Sequence, residues 1–314
     1  MIPPVITDAV MYANLLILLS TGFTLTYLTA KIPNFAHATF AGIGMYVTFT
    51  VFKIWKLDPY IAAPIAFIIG AGFGAFIYVV VIGALKKYGA TLISITISTL
   101  AIEIIVLAII NIYADYIQAS LALISRWFMF RYADFEFMGE PGVLTVSTTL
   151  AGLLIIGFHL MLTKTRFGIQ MRATVEDSAL ASVLGVNVEL VSTVSWLLTG
   201  GLAGLAGSLL PLWLQGSPLV GERILISVFA SSILGGISSI YGAMLGGYLI
   251  GLTEVLGTVA LMSVLGSWVS AYRLLIPLTV MAMVLLGAPR GVVGIIEGIQ
   301  ARGLSVRRIL RLKR

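Results

Sequence analysis

The 314-residue chain has no cysteine and only two histidines, and charged side chains make up 10% of it, where about 25% is usual in a soluble domain. The missing cysteine excludes a disulfide scaffold and any thiolate metal site. His37 and His159 stand alone, with no ligand spacing between them, so a metal centre is not expected. Nineteen bases and 13 acids cannot clothe a globule of this size in water, and hydrophobic residues reach 59%. A soluble fold, intrinsic disorder and a nucleic-acid binder are excluded, although the net charge is +6. No pair of glycines leads into the Lys-Ser/Thr of a phosphate-binding loop, so the chain has no ATPase motif of its own.

What the sequence has is apolar runs, and these make it an all-α polytopic integral membrane protein. A spanning helix needs about 20 mostly apolar residues. Nine runs qualify, at 9–30, 38–56, 60–84, 90–112, 143–163, 190–212, 222–240, 242–264 and 270–289. The second and seventh are short, giving eight or nine transmembrane helices, with room for broken or re-entrant ones. No base precedes the first run, which does not resemble a cleaved signal peptide and is expected to stay. Residues 1–314 read as one transmembrane domain.

Orientation follows from the bases. Taken alternately, one set of loops holds Lys31, Lys86, Lys87, Lys164, Arg166, Arg172 and a tail over 290–314 with Arg290, Arg302, Arg307, Arg308, Arg311, Lys313 and Arg314. The other set holds six bases and most of the acids, including Asp8, Asp58, Asp115, Asp134, Glu136, Glu140 and Glu222. The more basic side should be cytoplasmic, with the N-terminus outside and the C-terminus inside the cell membrane. The tail, with Ile295, Ile299 and Ile309 among its bases, is expected to anchor to anionic lipid. The one long outer segment, 113–142, mixes acids with the aromatic run between Arg126 and Arg131 and suits an interfacial position or a soluble partner.

Several residues point to function. In the cytoplasmic loop 164–189, Thr174 and Asp177 have capping-box spacing, which predicts a helix starting at Thr174 and ending at Gly185. Ala179, Leu180, Val183 and Leu184 would share one face, fit either to rest on lipid or to dock in a groove of another protein. Within Thr91–Thr99, the alternation of Ser94, Thr96 and Ser98 with isoleucine suggests either back-bonding to the helix or a partly unwound stretch lining a polar route. Asn34 and His37, just after the first span, are candidates for the same route. Gly235 and Gly236, between two apolar runs, suggest a tight hairpin or a re-entrant break. Pairs such as Gly200/Gly204, Gly242/Gly246 and Gly247/Gly251 suit close helix packing. Glu103 and Glu254 fall near span centres, where a charge costs roughly 2.5–3.5 kcal/mol and usually faces a cavity or a partner.

The run RATVEDSALASVLGVNVELV from Arg172 to Val191, followed by LTGGLAGLAG from Leu198 to Gly207, resembles the permease subunits of branched-chain amino acid ABC importers. NFAH at Asn34–His37, LGGISSIYGA at Leu234–Ala243 and PRGVVG at Pro289–Gly294 agree with that family. Ala38 departs from it, as does the outer segment. The resemblance implies transport without enzymatic activity or a cofactor, ATP being used by partner subunits. It implies two ATPase subunits inside, a second permease subunit, identical or related, and a substrate-binding protein outside. It makes the cytoplasmic loop a coupling helix, with Arg172, Glu176, Asp177, Ala181 and Gly185 as contact and cap positions. Asn34, His37, Ser94, Thr96, Glu103, Gly235, Gly236 and Glu254 are the pathway candidates. The competing reading is an ion-coupled secondary transporter using Glu103 and Glu254.

Overall fold

A computed structural model describes residues 3–295. The chain is helical throughout its apolar runs. Helix α1 (Pro4–Ala30) leads to α2 (His37–Phe49), which continues through a π turn, Thr50–Ile54. A short turn at Pro59–Ile61 opens α3 (Ala62–Ile77), extended through a second π turn into α4 (Gly83–Lys87). Then come α5 (Leu92–Leu121), α6 (Gly142–Lys164), α7 (Arg166–Glu176), α8 (Ser178–Val183), α9 (Val188–Trp213), α10 (Val220–Gly235), α11 (Ile240–Leu265) and α12 (Leu275–Gly287). Strand pairing among the described residues is confined to β1 (Glu136–Phe137) with β2 (Glu140–Pro141) and a bridge from Phe128 to Gly216.

Seven helices among the described residues are long and apolar enough to cross a bilayer. The two apolar runs that fall short of that length are α2 and α10, the same two that are short in the sequence. This is a multi-pass all-α membrane protein.

Helix α1 is buried along most of its length, an unusual place for a first span, and has α2, α6, α9, α10 and α11 around it. Small residues make the close approaches. A methyl group built on Gly70 of α3 would run into the carbonyl of Gly200 on α9, and one on Gly200 into the carbonyl of Gly70. Gly242 and Gly246 lie in the same way against Gly235 and Ser231 of α10, while Gly247 and Gly251 press on α1. Since lipid is as apolar as the helices, van der Waals contact at such seams supplies the cohesion that water supplies to soluble cores. Between α3 and α5, over the C-terminal half of α2, an apolar cleft of about 410 Å³ remains.

Of the two readings of Gly235 and Gly236, the structure has the tight hairpin: α10 ends, Gly236 takes a φ of 108°, and α11 begins four residues later at Ile240. The re-entrant stretch lies instead between α1 and α2. Lys31, at φ 60°, ends α1, and the following residues double back so that His37 Nε2 donates to the Leu19 carbonyl at 2.8 Å. Leu19 lies about three turns inside the end of α1, so α2 starts well within the span. Its local cause is Pro33, which cannot continue a helix and leaves Asn34 without a regular ladder. The stretch from Thr91 to Thr99 is not unwound: α5 is unbroken from Leu92. Thr91 caps it by accepting from the Ser94 N–H, and Thr96, Ser98 and Thr99 donate back to carbonyls of their own helix.

Candidate functional site

Bases collect at one end of the bundle, where Lys31, Lys86, Lys87, Lys164 and Arg166 lie at the ends of α1, α4, α6 and α7, and Arg172 within α7. There Lys31 donates from Nζ to the Val175 carbonyl at 2.9 Å, and Lys87 pairs with Glu189 at 3.6 Å. Here α6 turns sharply into α7, whose N-cap Thr165 accepts from the Gly168 N–H at 3.0 Å. Helix α7 buries Gly168, Met171 and Thr174 and exposes Arg172 and Glu176. The capping box expected at Thr174 does not form. Thr174 lies inside α7 and is buried, and Asp177 is the cap instead. Its extended backbone (φ −149°) breaks the helix, and its carboxylate accepts from the N–H groups of Ala179 and Leu180 at 2.9 and 3.0 Å. An ionised acceptor makes the stronger cap, and burial of the Thr174 hydroxyl removes it from competition.

Helix α8 therefore has six residues rather than three turns, and it closes as the sequence predicts. Gly185 (φ 85°) donates to the Ser182 carbonyl and Val186 to that of Ala181, the paired bonds of a Schellman end. Ala181 is buried beneath the turn. Leu180, Val183 and Leu184 point outward at 56%, 83% and 73% exposure. The result is a short, doubly capped knob with an apolar outer face, flanked by the exposed Arg172, Glu176 and Asp177.

Within the span, the predicted polar residues divide. Asn34 and His37 meet in the re-entrant turn, both fully buried. The Asn34 amide and His37 Nδ1 have no hydrogen-bond partner among the described residues. Thr99 of α5 holds this turn from both sides of Asn34, donating to the Pro33 carbonyl and accepting from the Phe35 N–H, each at 3.4 Å. Ser94, an exposed residue of the first turn of α5, is apart from them, and Thr96 is half-buried. Gly235 and Gly236 belong to the hairpin packing of α10, α11 and the Pro289–Gly291 turn.

Glu254 and Glu103 have opposite circumstances. Glu254 is 1% exposed, accepts from the Ser227 hydroxyl at 2.7 Å and pairs with Arg273 Nε at 2.7 Å. The Arg273 guanidinium also lies over the Tyr12 ring at 4.5 Å. Trp213, beside Tyr12, donates to Asp8 at 2.9 Å, and Asp8 faces Arg131 at 3.9 Å. One connected network thus ties α1, α9, α10, α11 and the 113–142 segment together. The loop position of Arg273 in the sequence gives no sign of this role. Glu103, in contrast, is half-buried and has no ion pair or hydrogen bond among the described residues. Glu222 and Arg223, which the loop assignment puts outside, stand on the first turn of α10, where Gly221 presses against Ala38 and Thr39 of α2.

Over this framework the chain matches, from residue 5 to residue 295, the model of the family described as branched-chain amino acid transport system / permease component. The chain belongs to that family. Among members of the permease family, a probable branched-chain amino acid transport permease protein LivH of Methanocaldococcus jannaschii is 40% identical over 93% of this chain and 92% of its own. The high-affinity branched-chain amino acid transport system permease protein LivH of Escherichia coli K12 is 28% identical over 87% of this chain and 91% of its own. BraD of Pseudomonas aeruginosa, of the same description, is 26% identical over 88% and 91%. No solved structure matches the chain.

Proposed function

We propose that this permease is the membrane subunit of an ATP-driven importer and moves branched-chain amino acids, or a similar small dipolar solute, inward by alternating access. The observation that carries this reading is the capped α8 knob. An apolar triad, Leu180, Val183 and Leu184, stands exposed among charged residues at the basic end of the bundle. A short helix clamped at both ends transmits a push without bending, which a nucleotide-driven rotation requires. Two ATPase subunits dock there, each permease subunit presenting one knob, and a second permease subunit, identical or related, completes the pathway. The basic end faces the cytoplasm, so the N-terminus is outside, and a substrate-binding protein delivers the solute to the outer segment.

The ion-coupled alternative loses one of its two carriers, because Glu254 is already neutralised by Arg273. The relatives' names support a branched-chain amino acid as the solute. Co-purification tests the ATP-driven reading. The permease solubilised with its candidate ATPase should hold two ATPase copies, and Leu180→Asp with Val183→Asp should release them while leaving the permease in the membrane. Uptake by the permease alone, driven by a proton gradient, would establish the alternative.

A further inference from the structure

Helix α5 carries a polar stripe where a lipid-facing helix would carry none. Thr96, Glu103, Asn111 and Asp115 recur at spacings of seven, eight and four, which places them along one face. Thr96, Glu103 and Asn111 are half-buried, whereas Ile97, Ile104 and Ile112, each the next residue along, are 59%, 67% and 69% exposed. The stripe is therefore a seam beside the lipid face.

Charged groups from two other elements border this seam. Arg126 donates to Asp115 at 2.6 and 2.9 Å and to Asn111 at 3.3 Å, closing its acidic end. Next to it, Trp127 lies 6.0 Å from the Arg223 guanidinium of α10, and Glu222 precedes Arg223 on the same turn. Behind it, Thr99 lies one turn from Glu103 and grips the residues on both sides of the unpartnered, fully buried Asn34. Thr39, 1% exposed and with its hydroxyl also unpartnered, backs the first turn of α10.

Arg126 is satisfied within the chain, but Glu103, Glu222 and Arg223 form no ion pair among the described residues. Glu103 falls inside an apolar span, where a carboxylate cannot be left to hydrocarbon, and Glu222 and Arg223 stand exposed on the first turn of α10. We infer that the α5 stripe and the first turn of α10 form one wall of the water-filled solute path, with Glu103 and Glu222 receiving the ammonium and Arg223 the carboxylate of a zwitterionic amino acid in transit. This rests on the transport reading above and adds to it the wall and the recognition chemistry. The opposing wall is the second permease subunit. Because the three charges are unpaired, the solute meets them without having to break a salt bridge first, which suits a site that must release as readily as it binds.

The absence of native cysteine makes the test direct. Single cysteines at Thr96, Glu103 and Asn111, and as controls at Ile97, Ile104 and Ile112, are treated in the assembled importer with a positively charged, membrane-impermeant thiosulfonate. A thiol reacts as thiolate and so needs water. The stripe positions should react and the isoleucine positions should not, and saturating leucine should slow the reaction at Asn111→Cys. Equal labelling of both sets, or of neither, overturns the assignment of the wall. Glu103→Gln and Arg223→Gln should each lower ATP-driven leucine uptake about tenfold at saturating solute. Recovery of the assembled complex and its ATP hydrolysis should be retained, and Glu103→Asp and Arg223→Lys should restore part of the uptake. Uptake unchanged in both Gln variants overturns the recognition chemistry. If the wild-type importer itself shows no ATP-driven uptake, the transport reading fails, and that outcome is distinct because the labelling pattern does not depend on it.

Discussion

Removing Arg273 and removing the charge of Glu254 should have unequal costs, because the two partners differ in their access to water. The Glu254 side chain is 2% exposed and that of Arg273 is 27% exposed. Arg273→Ala strands a buried carboxylate that keeps only the Ser227 hydroxyl at 2.7 Å. Breaking a buried pair from one side costs about 3–5 kcal/mol, and loss of the guanidinium from the Tyr12 face adds roughly 0.5–1 kcal/mol. Glu254→Gln leaves a guanidinium that retains both its aromatic neighbours and an open side toward water, so its loss should be about 1–2 kcal/mol. The double variant, Glu254→Gln with Arg273→Ala, should cost less than the single Arg273→Ala, since no charge is left stranded. The assay is the thermal midpoint of the detergent-solubilised protein, read by the fraction that stays monodisperse after heating. At roughly 2–4 °C per kcal/mol, Arg273→Ala should fall by about 10 °C and Glu254→Gln by about a third of that. Equal falls for the two single variants, or a double variant with the sum of both losses, would refute the buried-pair reasoning.

Gly185 has a φ of 85° and nothing within 4 Å of a built methyl group, so only backbone strain opposes substitution there. Gly185→Val should cost about 1–2 kcal/mol locally and abolish uptake with normal membrane levels, whereas Gly185→Asn should keep much of the activity; immunoblots beside uptake assays decide this. Gly200→Val should prevent α3 and α9 from meeting and reduce the folded protein recovered in detergent, while Gly72→Val, at a position with open space around it, should be tolerated. Asp177→Ala removes the α8 cap, worth about 1 kcal/mol, and should weaken ATPase retention less than the paired Leu180→Asp, Val183→Asp change, measured by subunit ratio after purification.

The spans were legible because lipid imposes a length and a composition that a one-dimensional reading detects. The Schellman end at Gly185 was legible for a similar reason, since its geometry admits few residues other than glycine. The start of α8 was not, because Thr174 and Asp177 both satisfy the local cap rule and only burial of Thr174 in the α6–α7 packing decides between them. The re-entrant turn at Asn34 was missed as a turn, although its residues were singled out: Lys31 supplies the left-handed stop and Pro33 the break, yet nothing local says that the chain then doubles back along α1. Glu254 and Glu103 read alike in sequence, each a carboxylate in an apolar run. Their difference lies in Arg273, which is 19 residues from Glu254 in the chain and reaches it only through the fold. The stripe on α5 was half legible, since the period places Asn111 and Asp115 with Thr96 and Glu103, but the depth of Glu222 and Arg223 depends on where α10 begins.

The most direct test of ATP-driven import is reconstitution of the permease with its ATPase subunits in liposomes holding ATP, with binding protein and labelled leucine outside and no ion gradient. Uptake that needs hydrolysable ATP and is lost with Leu180→Asp, Val183→Asp is the predicted result. Uptake that persists without ATPase subunits and follows an imposed proton gradient would contradict it.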